Sequence, residues 1–132
     1  MTIIQHGTLV LPDGLMQGDI AFENGVITRI APAIEAGAGD AVCEAAGCLV
    51  FPGFIDAHTH LDMDSGTTVT ADDFASGSRA AACGGTTTLV DFATQERGGT
   101  LTDALDAWHR KAEGKCACNY AFHMAVTDWN EQ

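Results

Sequence analysis

Apolar and polar residues alternate in short runs over roughly the first fifty residues of the chain. The segments TIIQHGTLVLPDG and GDIAFENGVITRIAP are typical of strands, and Asn24-Gly25 lies between two alternating apolar segments. An Asn-Gly pair in this setting is the strongest short-range signal for a β-hairpin. A loop and two more short strands follow, up to a Pro-Gly stop. The pattern predicts a small β module over residues 1–52.

From residue 53 the pattern changes to buried strands that alternate with amphipathic helices. This alternation is typical of parallel βα units, so the chain is predicted to be an α/β protein with a second domain over residues 53–132. The predicted elements are a strand over 54–60, a helix over about 71–83, a strand over 86–93, a helix over about 101–113 and a strand over 119–126.

Both predicted helices have a sequence signal for their first turn. Thr70 is followed three residues later by Asp73, and Thr100 is followed by Asp103 in the same way. Both pairs fit a capping box, in which a hydroxyl and a carboxylate bind the free amides of the first turn. The helix faces predicted to pack into the core are Phe74, Ser78, Ala81 and Ala82, and Leu101, Leu105, Trp108 and Ala112.

Composition and charge narrow the classes of partner. Apolar residues make up 46% of the chain and charged residues 18%, which is typical of a globular domain. The formal net charge of -12 disfavours binding to nucleic acid or to an anionic membrane surface. No block of like charges occurs, so we interpret the negative charge as a solubilising surface. The apolar stretches are too short to span a bilayer.

The five cysteines are odd in number, and no apolar signal segment precedes them. This favours reduced thiols and a cytoplasmic protein. Cys116 and Cys118 form a C-x-C pair that lacks the spacing of a zinc ribbon, so we expect them to be buried small side chains.

The stretch GFIDAHTHLDM, residues 53 to 63, places His58 and His60 in the first predicted strand of the second domain. Side chains two residues apart in a strand point the same way, with Cα atoms roughly 6.5 Å apart, so both imidazoles can reach one metal ion. H-x-H spacing alone does not separate a metal site from two hydrogen-bonded histidines. A buried strand, however, has little reason to hold two polar rings. The sequence therefore predicts metal binding at the carboxyl end of this strand, where α/β folds place their sites.

Other polar residues near this stretch leave alternatives open. Asp56 shares the strand face of the histidine pair and either orients a ligand histidine or caps a backbone amide. Asp62 and Asp64 belong to the following loop, where solvated charge is the favoured interpretation. Asp91 ends the second strand of this domain and faces either the site or away from it. His123 in the third strand is favoured as a hydrogen-bonded core histidine over a ligand.

Several longer stretches, in this order along the chain, resemble a known family. They are PGFIDAHTHLDM, GTTVTADDF, AAACGGTTTLVDF and DAWHRKAEGK followed by NYAFHMAVTD. Together they resemble the amino-terminal part of dihydropyrimidinases and D-hydantoinases, in the cyclic amidohydrolase branch of the amidohydrolase superfamily. The resemblance implies that residues 1–52 are part of a β-sandwich, and that residues 53–132 are the first three strands and two helices of a TIM-like (β/α)8 barrel.

The resemblance also implies an activity, which is hydrolysis of the ring amide of a dihydropyrimidine or a 5-substituted hydantoin to an N-carbamoyl amino acid. It implies a centre of two divalent metal ions, usually zinc, in which His58 and His60 bind the more buried ion. The bridging lysine, two further histidine ligands and the catalytic aspartate of the family belong to later barrel strands. We therefore expect an amino-terminal fragment that has no catalytic residue of its own and is inactive alone. The free edge of its third barrel strand would favour aggregation.

The loop after the histidine pair departs from a common family pattern. Many relatives have proline and a bulky apolar residue where this chain has Asp64 and Ser65. This loop contacts the substrate substituent in the family, so Met63 and Ser65 are candidates for that contact, and the choice of substrate stays open. The family implies a homo-tetramer or dimer.

An alternative is a non-catalytic remnant, or a protein like the neuronal dihydropyrimidinase-like branch, which lacks the metal histidines. The presence of His58 and His60 argues against that branch.

Overall fold

The computed structural model describes residues 1–130, so the last two residues of the predicted second domain lie outside the described range. The chain divides into two compact units, the first over Met1–Pro52 and the second beginning at Gly53. Neither helix of the described range is long and apolar enough to cross a membrane. The combination of sheets with helices confirms a mixed α/β protein, while the sandwich and barrel assignments stay predictions.

The first unit contains a five-stranded sheet. In it the second strand pairs antiparallel with the first and third, and the two short strands pair parallel with the first. The predicted Asn24-Gly25 hairpin is confirmed, with φ values of 50° and 78°, because a tight hairpin turn of this kind needs positive φ at both positions. The strands are β1 (Thr2–Leu11), β2 (Gly14–Glu23), β3 (Val26–Ala31), β4 (Ala41–Glu44) and β5 (Leu49–Val50).

A buried carboxylate fastens two segments of this first unit. Asp19 is 2% exposed and accepts hydrogen bonds at 2.8 Å from the backbone amides of His6 and Ile34. The amide of His6 is the main cause that holds the pKa of the Asp19 carboxyl below its ordinary value. Sequence reasoning did not identify this aspartate, because its partners lie 13 and 15 residues away along the chain.

The second unit alternates strand and helix as predicted. Its three strands form a parallel sheet in chain order, with one helix in each connection. The elements are β6 (Phe54–Thr59), α1 (Phe74–Cys83), β7 (Thr86–Thr94), α2 (Leu101–Ala112) and β8 (Asn119–Ala125).

The capping box predicted for α2 is present, whereas the one predicted for α1 is not. The capping box of α2 is confirmed, since the hydroxyl of Thr100 accepts a hydrogen bond from the amide of Asp103 at 3.0 Å. The predicted box of α1 is wrong, because Asp73 is itself the N-cap and accepts from the amide of Ser76 at 2.8 Å. Aspartate is as good an N-cap as threonine. The hydroxyl of Thr70 instead accepts a hydrogen bond from a loop amide.

Both helices lie against the sheet and form the core of the second unit. Its buried apolar members are Phe74, Ala93, Trp108 and Ala112. The predicted helix faces are confirmed at Phe74, Ser78, Trp108 and Ala112 but are wrong at Ala82 and Leu101, which are exposed.

The cysteines are free thiols throughout the chain, as predicted. Cys116 and Cys118, which were expected to be buried small side chains, are only partly covered. They lie between α2 and β8, and each is partly open to solvent. Their partial burial is the main cause that raises the pKa of both thiols.

Candidate metal centre

The carboxyl end of β6 brings two imidazoles together. His58 is a residue of β6, and His60 directly follows the last residue of that strand. Their ring centroids are 5.1 Å apart and the ring planes are nearly perpendicular, at 85°. The two side chains therefore lie side by side, as the two-residue spacing in a strand predicts.

A phenylalanine of the middle strand lies beside both rings. The centroid of Phe92 is 4.5 Å from that of His58, 5.2 Å from that of His60 and 4.8 Å from that of His123. We call these four residues the histidine face of the sheet. Nε2 of His123 also donates a hydrogen bond to the carbonyl oxygen of Ala57, at 3.1 Å. His123 is thus hydrogen-bonded, as favoured, but the expectation that it lies in the core is wrong, because it is exposed on the same face as the pair.

The prediction that the histidines lie in a buried strand is wrong. Both rings are exposed, and in β6 only Thr59 is partly covered. One physical reason is that β6 is an edge strand of the three-stranded sheet. The other is that the two helices pack on the face of the sheet opposite the histidines. A hydrophobic pattern shows that a strand has apolar residues, but it does not show what covers each face. Support for a metal site now comes from the geometry of the pair rather than from burial.

Asp91 lies on the other side of the sheet. It is 1% exposed, and its Oδ2 accepts hydrogen bonds from the hydroxyl of Thr59 at 2.9 Å and the amide of Leu61 at 2.8 Å. Its Oδ1 accepts from the indole of Trp108 at 3.1 Å and from the amide of Phe92 at 2.7 Å. The open question about Asp91 is therefore answered, because its carboxylate points toward the helices.

Two other aspartates of this region, Asp56 and Asp64, accept hydrogen bonds from backbone amides. Oδ1 of Asp56 accepts a hydrogen bond from the amide of His58 at 3.2 Å, which is the capping alternative, and its role toward a ligand histidine stays a prediction. Asp64 is exposed and accepts from an amide two residues later in its loop, at 2.8 Å. Asp62 has a φ of 49°, and its carbonyl oxygen accepts a hydrogen bond from Nζ of Lys111.

Hydrogen bonds connect the two sides of the loop that follows the histidine pair. The amide of Met63 donates to the hydroxyl of Thr70 at 2.9 Å, and the amide of Thr70 donates to the carbonyl of Met63 at 3.0 Å. The hydroxyl of Ser65 donates to the carbonyl of Thr68 at 2.8 Å. These bonds give the loop a defined course, while a substrate contact by Met63 and Ser65 stays a prediction.

The donor set fits part of a zinc site. Neutral imidazole nitrogen is a preferred ligand of zinc, which takes three or four protein ligands. The pair supplies two, and residues 1–130 contain no group of three or more His, Cys, Asp or Glu side chains that could hold a metal ion. The described part of the chain therefore provides two neighbouring imidazoles, fewer ligands than a zinc site needs.

Comparison with known sequences gives a consistent set of matches. The sequence model of the amidohydrolase family matches residues 49–127. A D-hydantoinase of Streptomyces coelicolor is 46% identical over 99% of this chain, which spans 29% of that protein. A dihydropyrimidinase of Dictyostelium discoideum is 42% identical over 98% of this chain, which spans 26% of that protein.

Comparison with solved structures agrees. The crystal structure of D-hydantoinase from Bacillus sp. AR9 superimposes with a TM-score of 0.92 at 45% identity, covering 100% of this chain and 28% of that chain. An L-hydantoinase from Arthrobacter aurescens superimposes with a TM-score of 0.72 at 26% identity, covering 92% of this chain and 27% of that chain. This chain therefore spans less than a third of the length of the proteins that it matches.

Proposed function

Because this chain belongs to the amidohydrolase family, we propose that a longer protein containing it hydrolyses the ring amide of a dihydropyrimidine or a 5-substituted hydantoin. The product would be an N-carbamoyl amino acid. The observation that carries the proposal is the histidine pair at the end of β6, in a chain 46% identical to a D-hydantoinase and 42% identical to a dihydropyrimidinase. The names of these relatives include both substrate classes, so the proposal keeps both.

We assign His58 and His60 to one of two divalent metal ions, with zinc as the metal. Two exposed imidazoles with centroids 5.1 Å apart support this assignment, because neutral imidazole binds zinc well. When bound, such ions polarise an amide carbonyl and lower the pKa of water. The remaining ligands and the residue that transfers the proton would come from outside this chain, so the 132 residues alone should not hydrolyse substrate.

The residues of this chain would orient the ligands and contact the substrate. The ring of Phe92 lies against both imidazoles and limits the directions in which they can turn. In this proposal Met63 and Ser65 contact the ring substituent of the substrate, since their loop directly follows the pair and has a course fixed by hydrogen bonds.

The test is an assay of the complete gene product. Its gene would be read beyond codon 132, and the encoded protein would be compared with a His58→Ala, His60→Ala double variant. We expect zinc by elemental analysis and an N-carbamoyl product from dihydrouracil or hydantoin, both lost in the double variant. A His109→Ala variant is the matched control, because it removes an exposed imidazole from α2 rather than from the histidine face. A complete protein with neither metal nor product would contradict the proposal.

We also propose a cytoplasmic location and a homo-oligomeric assembly for the complete protein. The five free thiols support the location, because the cytoplasm keeps thiols reduced. Fractionation of the native cells and light scattering of the purified protein would test these two points.

A further inference from the structure

A carboxylate on the reverse side of the sheet binds both neighbours of His60. Oδ2 of Asp91 accepts the hydroxyl hydrogen of Thr59 at 2.9 Å and the amide hydrogen of Leu61 at 2.8 Å. The residues before and after His60 are thus bound to one oxygen atom. This leaves the side chain of His60 pointing to the opposite face, toward Phe92.

The burial of Asp91 requires an explanation. A carboxylate hidden from water is costly unless hydrogen bonds replace its hydration, and Asp91 is 1% exposed. It has four donors in place of water, two on each oxygen. An apolar residue of similar size would fill this space without that requirement. The hydrogen bonds therefore account for the aspartate better than packing does.

The place of these hydrogen bonds along the chain is informative. The register of β6 against β7 is irregular between Asp56 and Thr59, and β6 ends at Thr59. The regular pairing of the two strands therefore ends where the histidine pair lies. Asp91, which is the pairing partner of Thr59, supplies side-chain hydrogen bonds just past the end of the regular ladder.

The helix α2 holds the following turn. Nζ of Lys111 donates to the carbonyl oxygen of Asp62, a residue with a φ of 49° that needs outside support in this conformation. The same ammonium group lies 4.3 Å from the ring centroid of Trp108, a favourable cation–π distance. The indole of Trp108 in turn donates to Asp91. One connected set of contacts thus fixes residues 59 to 62.

We propose that Asp91 is a positioning residue that fixes His60 on the histidine face, with Lys111 as a second support at the next turn. The inference rests on the proposed function, because it treats His60 as a metal ligand. His58 is supported differently. Its own amide donates a hydrogen bond to Asp56, and the carbonyl oxygen of the preceding residue, Ala57, accepts one from His123. Loss of Asp91 should therefore disturb His60 more than His58.

The test uses the 132-residue chain and two measurements. Three-bond NMR couplings report the χ1 rotamers of His58 and His60 without metal, and a titration with Zn²⁺ followed by the imidazole signals gives the affinity. In Asp91→Asn we expect His60 to change from one rotamer to an average, while His58 keeps its coupling. We expect the dissociation constant for Zn²⁺ to rise about tenfold or more, as is usual when a group that orients a ligand is removed.

The matched control is Ser78→Ala. Ser78 is also fully buried, and its hydroxyl donates to the carbonyl of Phe74 and accepts from the amide of Ala117. Its hydrogen bonds connect α1 with the segment before β8, and neither of them involves a neighbour of His60. We expect Ser78→Ala to destabilise the fold and to leave the His60 coupling and the Zn²⁺ affinity within twofold of the parent chain.

Two milder variants decide the question if Asp91→Asn does not fold. Thr59→Val keeps a β-branched residue in the strand but removes one donor to Oδ2. Lys111→Met keeps an unbranched stem beside Trp108 but removes the bond to Asp62. We expect partial averaging of the His60 rotamer in each, with a smaller loss of Zn²⁺ affinity than in Asp91→Asn.

Each outcome decides for or against the inference. An unchanged His60 coupling in Asp91→Asn, or in Thr59→Val where Asp91→Asn does not fold, would overturn it. The inference would also be overturned if Ser78→Ala changed the His60 coupling as much as Asp91→Asn does. If the parent chain binds no Zn²⁺, the metal assignment loses its support from this chain, but the couplings measured without metal still decide whether Asp91 positions His60.

Discussion

The two faces of the sheet in the second unit differ in what covers them. On the helix face, Phe74 and Ala93 are fully buried and Trp108 is 9% exposed. On the histidine face, His58, His60 and His123 are all exposed. The helix face is a core covered by α1 and α2, each of which is the next element after its strand. The histidine face holds three imidazoles, which are groups that can bind a metal. The contrast indicates that stability and candidate function depend on opposite faces of one sheet.

The largest expected effect is the difference in the free energy of unfolding when phenylalanine is replaced by alanine on each face of the sheet. Phe74→Ala removes a fully buried ring and should lower the free energy of unfolding by about 3–5 kcal/mol. Phe92→Ala removes a partly covered ring that contacts exposed imidazoles, so about 1 kcal/mol is expected. Urea unfolding followed by circular dichroism measures both. Equal losses in the two variants would show that the faces do not divide in this way.

The next effect concerns the start of α2 on the helix face. Thr100→Ala removes the hydroxyl that accepts from the amide of Asp103 and should cost about 1 kcal/mol. Thr102→Ala is the matched control, because Thr102 is exposed inside the helix, where alanine has the higher helix propensity. Urea midpoints of the two variants should move in opposite directions, or only that of Thr100→Ala should move. A loss in both would mean that the cap is not the cause.

Several elements of both units were predictable because local signals define them. The hairpin at Asn24-Gly25 and the cap at Thr100 each depend on residues close together in the sequence. The cap of α1 is Asp73 rather than the predicted Thr70, and both residues have side chains that suit the position. The choice between them depends on the loop before the helix, which binds the hydroxyl of Thr70.

The sequence predicts which side chains of the candidate site share a face of their strand, but not which residues from other elements contact them. Two-residue spacing placed His58 and His60 together, and the same rule puts Asp91 with Leu89 and Ala93, opposite Phe92. A signal for the orientation of Asp91 was thus present. Which side of β7 faces the helices could not be decided, because both sides of this strand are apolar. The contacts of Trp108 and Lys111 span 17 and 49 residues and have no local signal.

A smaller effect is expected when the histidine pair itself is removed. The His58→Ala, His60→Ala double variant should change the free energy of unfolding by no more than about 0.5 kcal/mol for each site, because both rings are exposed. Zn²⁺ binding followed by titration should be lost at the same time. Urea unfolding and the titration on the same samples measure both. A large loss of stability would show that the histidine face contributes to the core after all.

The smallest effect lies at the start of α1 and depends on pH. The hydrogen bond from the amide of Ser76 is the main cause that holds the pKa of the Asp73 carboxyl below its ordinary value. A lowered pKa in the folded state means that this stabilisation is fully present above the ordinary carboxyl value of about 4, and is lost as the pH falls through the lowered pKa. The protection of the Ser76 amide against hydrogen exchange should therefore decrease in acid. In Asp73→Ser, which keeps a cap that does not titrate, that decrease should disappear. The Ala104 amide, bound to the carbonyl oxygen of Thr100, is the control within the same sample, because its acceptor does not titrate. If both amides lose protection together in acid, the cause is general opening of the helix face rather than protonation of one cap.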